Sequence, residues 1–250
     1  MKLALQLYSL RQFLNEENIT DTLAKVRAVG YEGAEWPGLC GFSADRAAEL
    51  TQKAGLEMFS VMINIDEMIA CDREYIRVLK SHGVKYLPIS HLPAERLAGG
   101  ELFNETCEII RKYCAAAAEE GLWVLYHNHD FDLDPVGDSR ALDVMYETLP
   151  GYILGAELDT CWLYSGGVDP AAYVRKYADR TPILHLKDCV KEGGRAGYRP
   201  VGMGVVDFDS VIPEAKSEWF CVEQDDPCDG YDAFECAAIS AKCVREKYLK

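Results

Sequence analysis

The sequence predicts an α/β fold, a single (β/α)8 TIM barrel formed by residues 1–250, and three observations carry that expectation. Eight short apolar, β-rich runs alternate with helical patterns along the chain. No G-x-G-x-x-G loop follows the first run, which disfavours an open doubly wound sheet. The titratable residues gather at the C-terminal ends of the runs, where a parallel barrel builds its site. A length of 250 residues suits eight strand–helix repeats in one domain.

Taken in order, the strands are expected at Leu3–Tyr8, Gly33–Trp36, Leu56–Ile63, Val84–Ile89, Leu122–His127, Ile153–Leu158, Pro182–Leu186 and Trp219–Glu223. Apolar residues at three- and four-residue spacing predict helices at Ile19–Val29, Ser43–Ala54, Arg73–Ser81, Phe103–Glu120 and Ser139–Leu149, then at Pro170–Tyr177, Phe208–Ala215 and Ala233–Tyr248. Ser43 and Asp138 are expected N-caps, and Pro170 suits a first helical turn. Gly30, Gly55, Gly83 and Gly121 fall just past helix ends, where left-handed backbone is favoured. One long loop, Asp188–Val206, carries Gly193, Gly194 and Gly197 and is expected to be mobile.

Composition removes several classes of function. A net charge of −15 argues against a nucleic-acid partner, since phosphate affinity comes from Lys and Arg. No apolar run approaches the roughly 18 residues of a membrane span. The N-terminus turns polar too early for a secretory signal, so a cytoplasmic location is expected. None of the ten cysteines forms Cys-x-x-Cys, and Cys107, Cys114, Cys236 and Cys243 read as small buried hydrophobes on helices. Association with further copies of the chain is left open.

The strand ends concentrate the chemistry. Four of the five histidines (His91, His127, His129 and His185) fall there, and strands five to eight each end in His, Asp or Glu. Neighbouring strands lie about 4.8 Å apart, so such ends can converge on one ion. Residues two apart share a face, so Glu157 points with Asp159, His185 with Lys187, and Glu223 with Asp225. Mixed carboxylate and imidazole ligation suits one divalent ion of Mn, Mg, Co or Zn. A structural salt-bridge cluster is the plainer reading of the same residues. Tyr8, Trp36 and Trp162 also stand at strand ends, where flat faces can stack on a sugar ring or simply pack.

The ordered motifs Leu5-Gln6-Leu7-Tyr8-Ser9-Leu10-Arg11, Gly30-Tyr31-Glu32-Gly33-Ala34-Glu35, Tyr126-His127-Asn128-His129-Asp130-Phe131-Asp132, Glu157-Leu158-Asp159-Thr160-Cys161-Trp162, His185-Leu186-Lys187-Asp188 and Val222-Glu223-Gln224-Asp225 resemble those of the sugar phosphate isomerase/epimerase family of xylose isomerase-like barrels. The likeness covers nearly the whole chain. It implies one divalent ion with Asp159, His185 and Glu223 as ligands. The fifth-strand Glu of relatives is replaced here by Tyr126 or His127, so Glu157 or a histidine, His127 or His129, fills the fourth position; Glu157 is taken as that ligand. Met203 and Trp162 depart where relatives often carry Glu and His.

The resemblance implies a metal-dependent isomerase or epimerase acting on a sugar or keto-sugar through an enediolate. Glu223, Glu157 and His129 are the expected catalytic bases, and Lys187 the stabiliser of the oxyanion. Tyr8, Trp36, His127, Asn128, Trp162 and Arg199 are the expected substrate contacts. Alternatives are a lyase or hydrolase that cleaves 3-keto-glycosides by elimination and a non-catalytic sugar-binding barrel. A DNA-repair barrel of the same superfamily is disfavoured by the charge. No compact Arg/Lys cluster for a phosphate is evident beyond Arg195 and Arg199 in the long loop.

Overall fold

Eight strands close into a parallel barrel in a computed structural model that describes residues 1–249. They are β1 (Lys2–Gln6), β2 (Gly33–Trp36), β3 (Glu57–Val61), β4 (Tyr86–Ile89), β5 (Trp123–His127), β6 (Gly155–Asp159), β7 (Ile183–Leu186) and β8 (Trp219–Val222). Each pairs in parallel with its sequence neighbour, and β8 pairs with β1 to complete the ring. The fold is therefore the (β/α)8 barrel that the alternating pattern predicts.

Around it lie α1 (Ile19–Ala28), α2 (Ala44–Lys53), α3 (Ile65–Ala70), α4 (Arg73–Ser81), α5 (Phe103–Glu119), α6 (Ala141–Thr148), α7 (Thr160–Ser165), α8 (Pro170–Tyr177), α9 (Phe208–Val211) and α10 (Ala233–Lys247). Their starts follow from local chemistry. Ser43 accepts from the Arg46 N–H to cap α2, and Asp169 with Pro170 opens α8. Asp232 and Glu235 form a reciprocal capping box on α10. The buried face of each helix packs on the outside of the barrel, where every enclosed Leu or Ile contributes roughly 1.5–3 kcal/mol.

Four departures from the expected elements have local causes. β1 stops at Gln6 because its side chain accepts from the Tyr8 N–H and turns the chain into a 3-10 segment, Leu7–Phe13. Asp138 caps nothing: Ser139–Arg140 pairs with Pro135–Val136 as a small hairpin, and α6 starts only after it. Pro213 breaks the expected helix after α9 into a 3-10 turn, Ile212–Glu214. Two short helices were not anticipated, α3 with its Asn64–Glu67 capping box and α7 capped by Asp159.

The loop after β7 is tied down rather than loose. The buried Asp188 carboxylate accepts from the backbone N–H groups of Cys189, Gly202, Gly204 and Val206. A two-residue hairpin, Asp188–Cys189 with Tyr198–Arg199, places Tyr198 at the barrel mouth. No helix among the described residues is long and apolar enough to cross a membrane.

Candidate metal centre at the barrel mouth

Period-two alternation stacks polar side chains inside the upper half of the barrel. From β6 come Glu157 and Asp159, from β7 and the residue after it His185 and Lys187, and from the residue after β8 Glu223; all are buried. His127, the last residue of β5, joins them. One ligand atom from each of His127, Asp159, His185 and Glu223 lies within 4.8 Å of the others.

The orientation of each ring and carboxylate is fixed from behind. His127 turns Nδ1 to Glu157 Oε2 at 3.0 Å and aims Nε2 at Glu223, 4.0 Å away. His185 turns Nε2 to Glu35 Oε1 at 2.8 Å, so its Nδ1 faces Glu223 Oε2 at 3.1 Å and Asp159 Oδ2 at 3.9 Å. Each imidazole thus has a carboxylate on its outer nitrogen, the arrangement that sets the tautomer of a metal-binding histidine. Gln6 Nε2 in turn donates to Glu35 Oε1 at 2.9 Å. Asp159 receives similar support. Its N–H donates to Asn128 Oδ1, its Oδ1 accepts from the Trp162 N–H, and its Oδ2 is buried without a hydrogen-bond donor.

A buried carboxylate oxygen without a donor is costly, and a cation among these four ligand atoms removes that cost. Two imidazoles and two carboxylates suit a borderline or hard divalent ion. The residues present therefore fit the ion expected from the sequence, with His127 rather than Glu157 offering the fourth ligand atom. Glu157 sits one pleat below Asp159, engaged by His127 and at 3.4 Å by His185 Nε2, and does not line the mouth. The structure thus places Glu157, expected as ligand and as base, behind the converging group and off the cavity wall.

Charge coupling in the cluster is strong. Burial lifts the Asp159 carboxyl to about 7, with Lys187 pulling it down and Glu223 pushing it up. Burial also raises Glu35 to about 7, and the nearby Glu157 adds to it. Burial and the neighbouring His185 lower His127 to about 3, so the ring is neutral and able to ligate. Glu223 goes the other way: burial opposes ionisation, but the Lys187 ammonium and His185 hold it well below the usual carboxylate range. Lys187 stays protonated despite burial because Glu223, Asp159 and Asp225 surround it. Its Nζ lies 2.5 Å from Asp225 Oδ1 and 3.3 Å from Glu223 Oε2, between the rings of Trp162 and Tyr198 at 4.7 and 5.1 Å.

Above the cluster opens a cavity of about 500 Å³. Tyr8, His127, His129, Trp162, Lys187 and Glu223, all expected from the sequence, line it. Three expected substrate contacts do not. Trp36 is fully buried against the helices, its Nε1 donating to Thr51 and its ring edge-on to Phe42. Asn128 is buried and spends its Oδ1 on the Asp159 N–H. Arg199 turns back on the Tyr198 carbonyl, and Arg195 faces the mouth in its place. The sequence motifs give no role to Glu35 or Tyr198, and they place Asp225 on the face of Glu223 without assigning it a function. For Glu35 the signal was present: it shares the inward face of β2 with Gly33.

Three comparisons set this geometry among known proteins. The chain is 26% identical over 166 residues to an inosose dehydratase of Bacillus thuringiensis (strain Al Hakam), covering 59% of this chain and 55% of that protein. It thus spans about half the length of the curated relatives it matches. A sugar phosphate isomerase/epimerase from Parabacteroides distasonis ATCC 8503 superposes with a TM-score of 0.82 at 21% identity, over 100% of this chain and 99% of that one. The IOLI protein with a bound zinc atom superposes with a TM-score of 0.70 at 15% identity, over 98% of this chain and 97% of that one. Residues 23–235 match the pattern of the family described as xylose isomerase-like TIM barrel, and the chain belongs to that family.

Proposed function

We propose that this protein is a divalent-metal-dependent enzyme that removes a proton from the carbon next to the carbonyl of a polyhydroxy ketone, a sugar or cyclic polyol, and returns it as an isomerase or epimerase. The observation that carries the reading is the buried group His127, Asp159, His185 and Glu223, with Glu157 and Glu35 on the outer imidazole nitrogens. The zinc atom of the IOLI protein, which shares the fold, supports a bound ion in a barrel of this kind. When bound, the ion supplies Lewis acidity toward a carbonyl and a neighbouring hydroxyl.

The chain's own residues supply the rest. Glu223 borders both the ligand group and the cavity, and its ionised carboxylate is the base best placed to take the carbon-bound proton. The electron pair of that C–H bond moves onto the carbonyl oxygen, and the Lys187 ammonium balances the charge that develops there. The proton then returns to the same carbon from the other face, or to the neighbouring carbon. His129, on the cavity wall, is the second candidate to carry it.

A second reading, dehydration, is favoured by the likeness to inosose dehydratases. The same proton abstraction would then expel a β-hydroxyl, which leaves as water once the Lys187 ammonium delivers a proton to it. One experiment addresses both readings: incubation in D2O with keto-polyols, read by NMR, beside metal analysis of wild type and an Asp159→Ala/His185→Ala variant. Solvent deuterium at the α-carbon with a retained hydroxyl supports the isomerase, and an unsaturated product supports the dehydratase. Absence of exchange and of a bound ion in the wild type overturns the reading.

A further inference from the structure

Resting on the carbon-acid reading above, we infer that the mouth accepts an uncharged polyhydroxy ketone and turns away substrates that carry a phosphate or carboxylate. Among the described residues lining the cavity, the Lys and Arg side chains are Lys187 and Arg195. Both are already matched. Lys187 Nζ has Asp225 Oδ1 at 2.5 Å, Glu223 Oε2 at 3.3 Å and Asp159 Oδ2 at 4.0 Å. Arg195 pairs with Asp130 Oδ1 at 2.7 Å. Two cations therefore face four carboxylates, so neither is free to pair with an incoming anion.

An anionic group entering this space would meet Glu223 and Asp225 on the wall and find no free guanidinium or ammonium to replace its water. Discrimination by unmatched like charge is the usual way a site rejects a charged analogue. What the wall does offer suits a neutral polyol. Tyr8, Trp162 and Tyr198 line the cavity with aromatic carbon that suits C–H groups, and Trp162 Nε1 is buried without a hydrogen-bond partner. Lys187 Nζ lies 5.1 Å from the centroid of the Tyr198 ring.

The test uses the metal-loaded protein and two matched pairs of probes: inosose with 3-dehydroshikimate, and D-fructose with D-fructose 6-phosphate. Binding is read by titration calorimetry and α-proton exchange by NMR in D2O. At least one neutral probe is expected to bind roughly tenfold or more tighter than its anionic partner, given the strength of unscreened like-charge contacts. Asp225→Asn releases Lys187, and Asp130→Asn releases the exposed Arg195 should the first variant fold poorly. Each is expected to shrink the preference by about tenfold.

Equal or tighter binding of an anion by wild type overturns the inference, even if exchange confirms the carbon-acid chemistry. A preference that neither variant alters overturns it as well, because the paired cations are then not its cause. Failure of every neutral probe to bind does the same. Tight neutral binding without any exchange leaves the charge rule standing and overturns the carbon-acid reading instead.

Discussion

The two ends of the barrel interior differ in chemistry, and Cys221 is where they meet, its Sγ 3.9 Å from Glu35 Oε1. The lower end is an apolar plug of Ala4, Phe59, Tyr86, Leu125, Ile183, Trp219 and Cys221. Phe59 and Trp219 stack there with centroids 4.0 Å apart and planes 16° from parallel. Two glycines make room for it. A Cβ on Gly33 would fall 2.7 Å from the Trp219 ring, and one on Gly155 would fall 2.3 Å from Leu125. The upper end, one or two pleats higher, holds Glu35, His127, Glu157, Asp159, His185, Lys187 and Glu223. Period-two alternation serves both ends, and what changes along each strand is only which residue fills the inward position. The difference teaches that stability and chemistry are separated by height within one core, the lower layer carrying packing energy and the upper layer carrying buried charge.

That separation can be broken, and the sharpest attempt is at the top. His185→Ala takes away a ligand atom and the partner of Glu35 and Glu157, and is expected to abolish both the bound ion and turnover. Elemental analysis and the exchange assay check this, and an ion retained with full activity would dissolve the division. At the bottom, Trp219→Ala is expected to cost about 3–5 kcal/mol in urea unfolding while leaving metal content unchanged. Loss of the ion there would mean that the two layers are coupled.

Two smaller effects sharpen the comparison inside the upper layer. Glu157→Gln keeps the shape behind His127 but removes a charge, so metal affinity should fall by about 10–100-fold rather than vanish. Complete loss, as with Asp159→Asn, would return Glu157 to the ligand set. Asp132 sits beside the mouth, where burial pushes its carboxyl up to about 7 against the donors Tyr126 Oη and the His129 N–H. The folded state therefore keeps this proton to higher pH than the unfolded chain does. Stability from this group is present at low pH and lost as pH rises from about 4 to about 7. Asp132→Asn should flatten that slope by on the order of 1–2 kcal/mol, measured by urea unfolding at both ends of the window.

Several parts of the site were legible because they depend only on spacing. Asp159, His185 and Glu223 lie at ends of neighbouring strands, and parity along β6 and β7 puts Glu157 and Lys187 on the same inward face. Trp36 misled because its neighbour Glu35 is the inward residue, and alternation sends the tryptophan outward to Thr51 and the helices. Arg195 and Arg199 were not separable in sequence, since the loop's hairpin register decides which of them reaches the mouth. The small helix that Asp159 caps left no apolar period long enough to detect.

By itself, the sequence determined the barrel, the inward face of each strand and the acidic, histidine-bearing mouth, because these follow from periodicity and composition within one segment. Only the tertiary structure decided height. His127 is in register with Glu157, and Asp159 with His185. Strand tilt and the stagger between neighbours set which inward side chains rise to meet an ion and which stay beneath as their support. That stagger is a relation between segments far apart in the chain. For this reason His127, and not Glu157, turns a ring nitrogen into the group formed with Asp159, His185 and Glu223, while Glu157 and Glu35 hold the imidazoles from below.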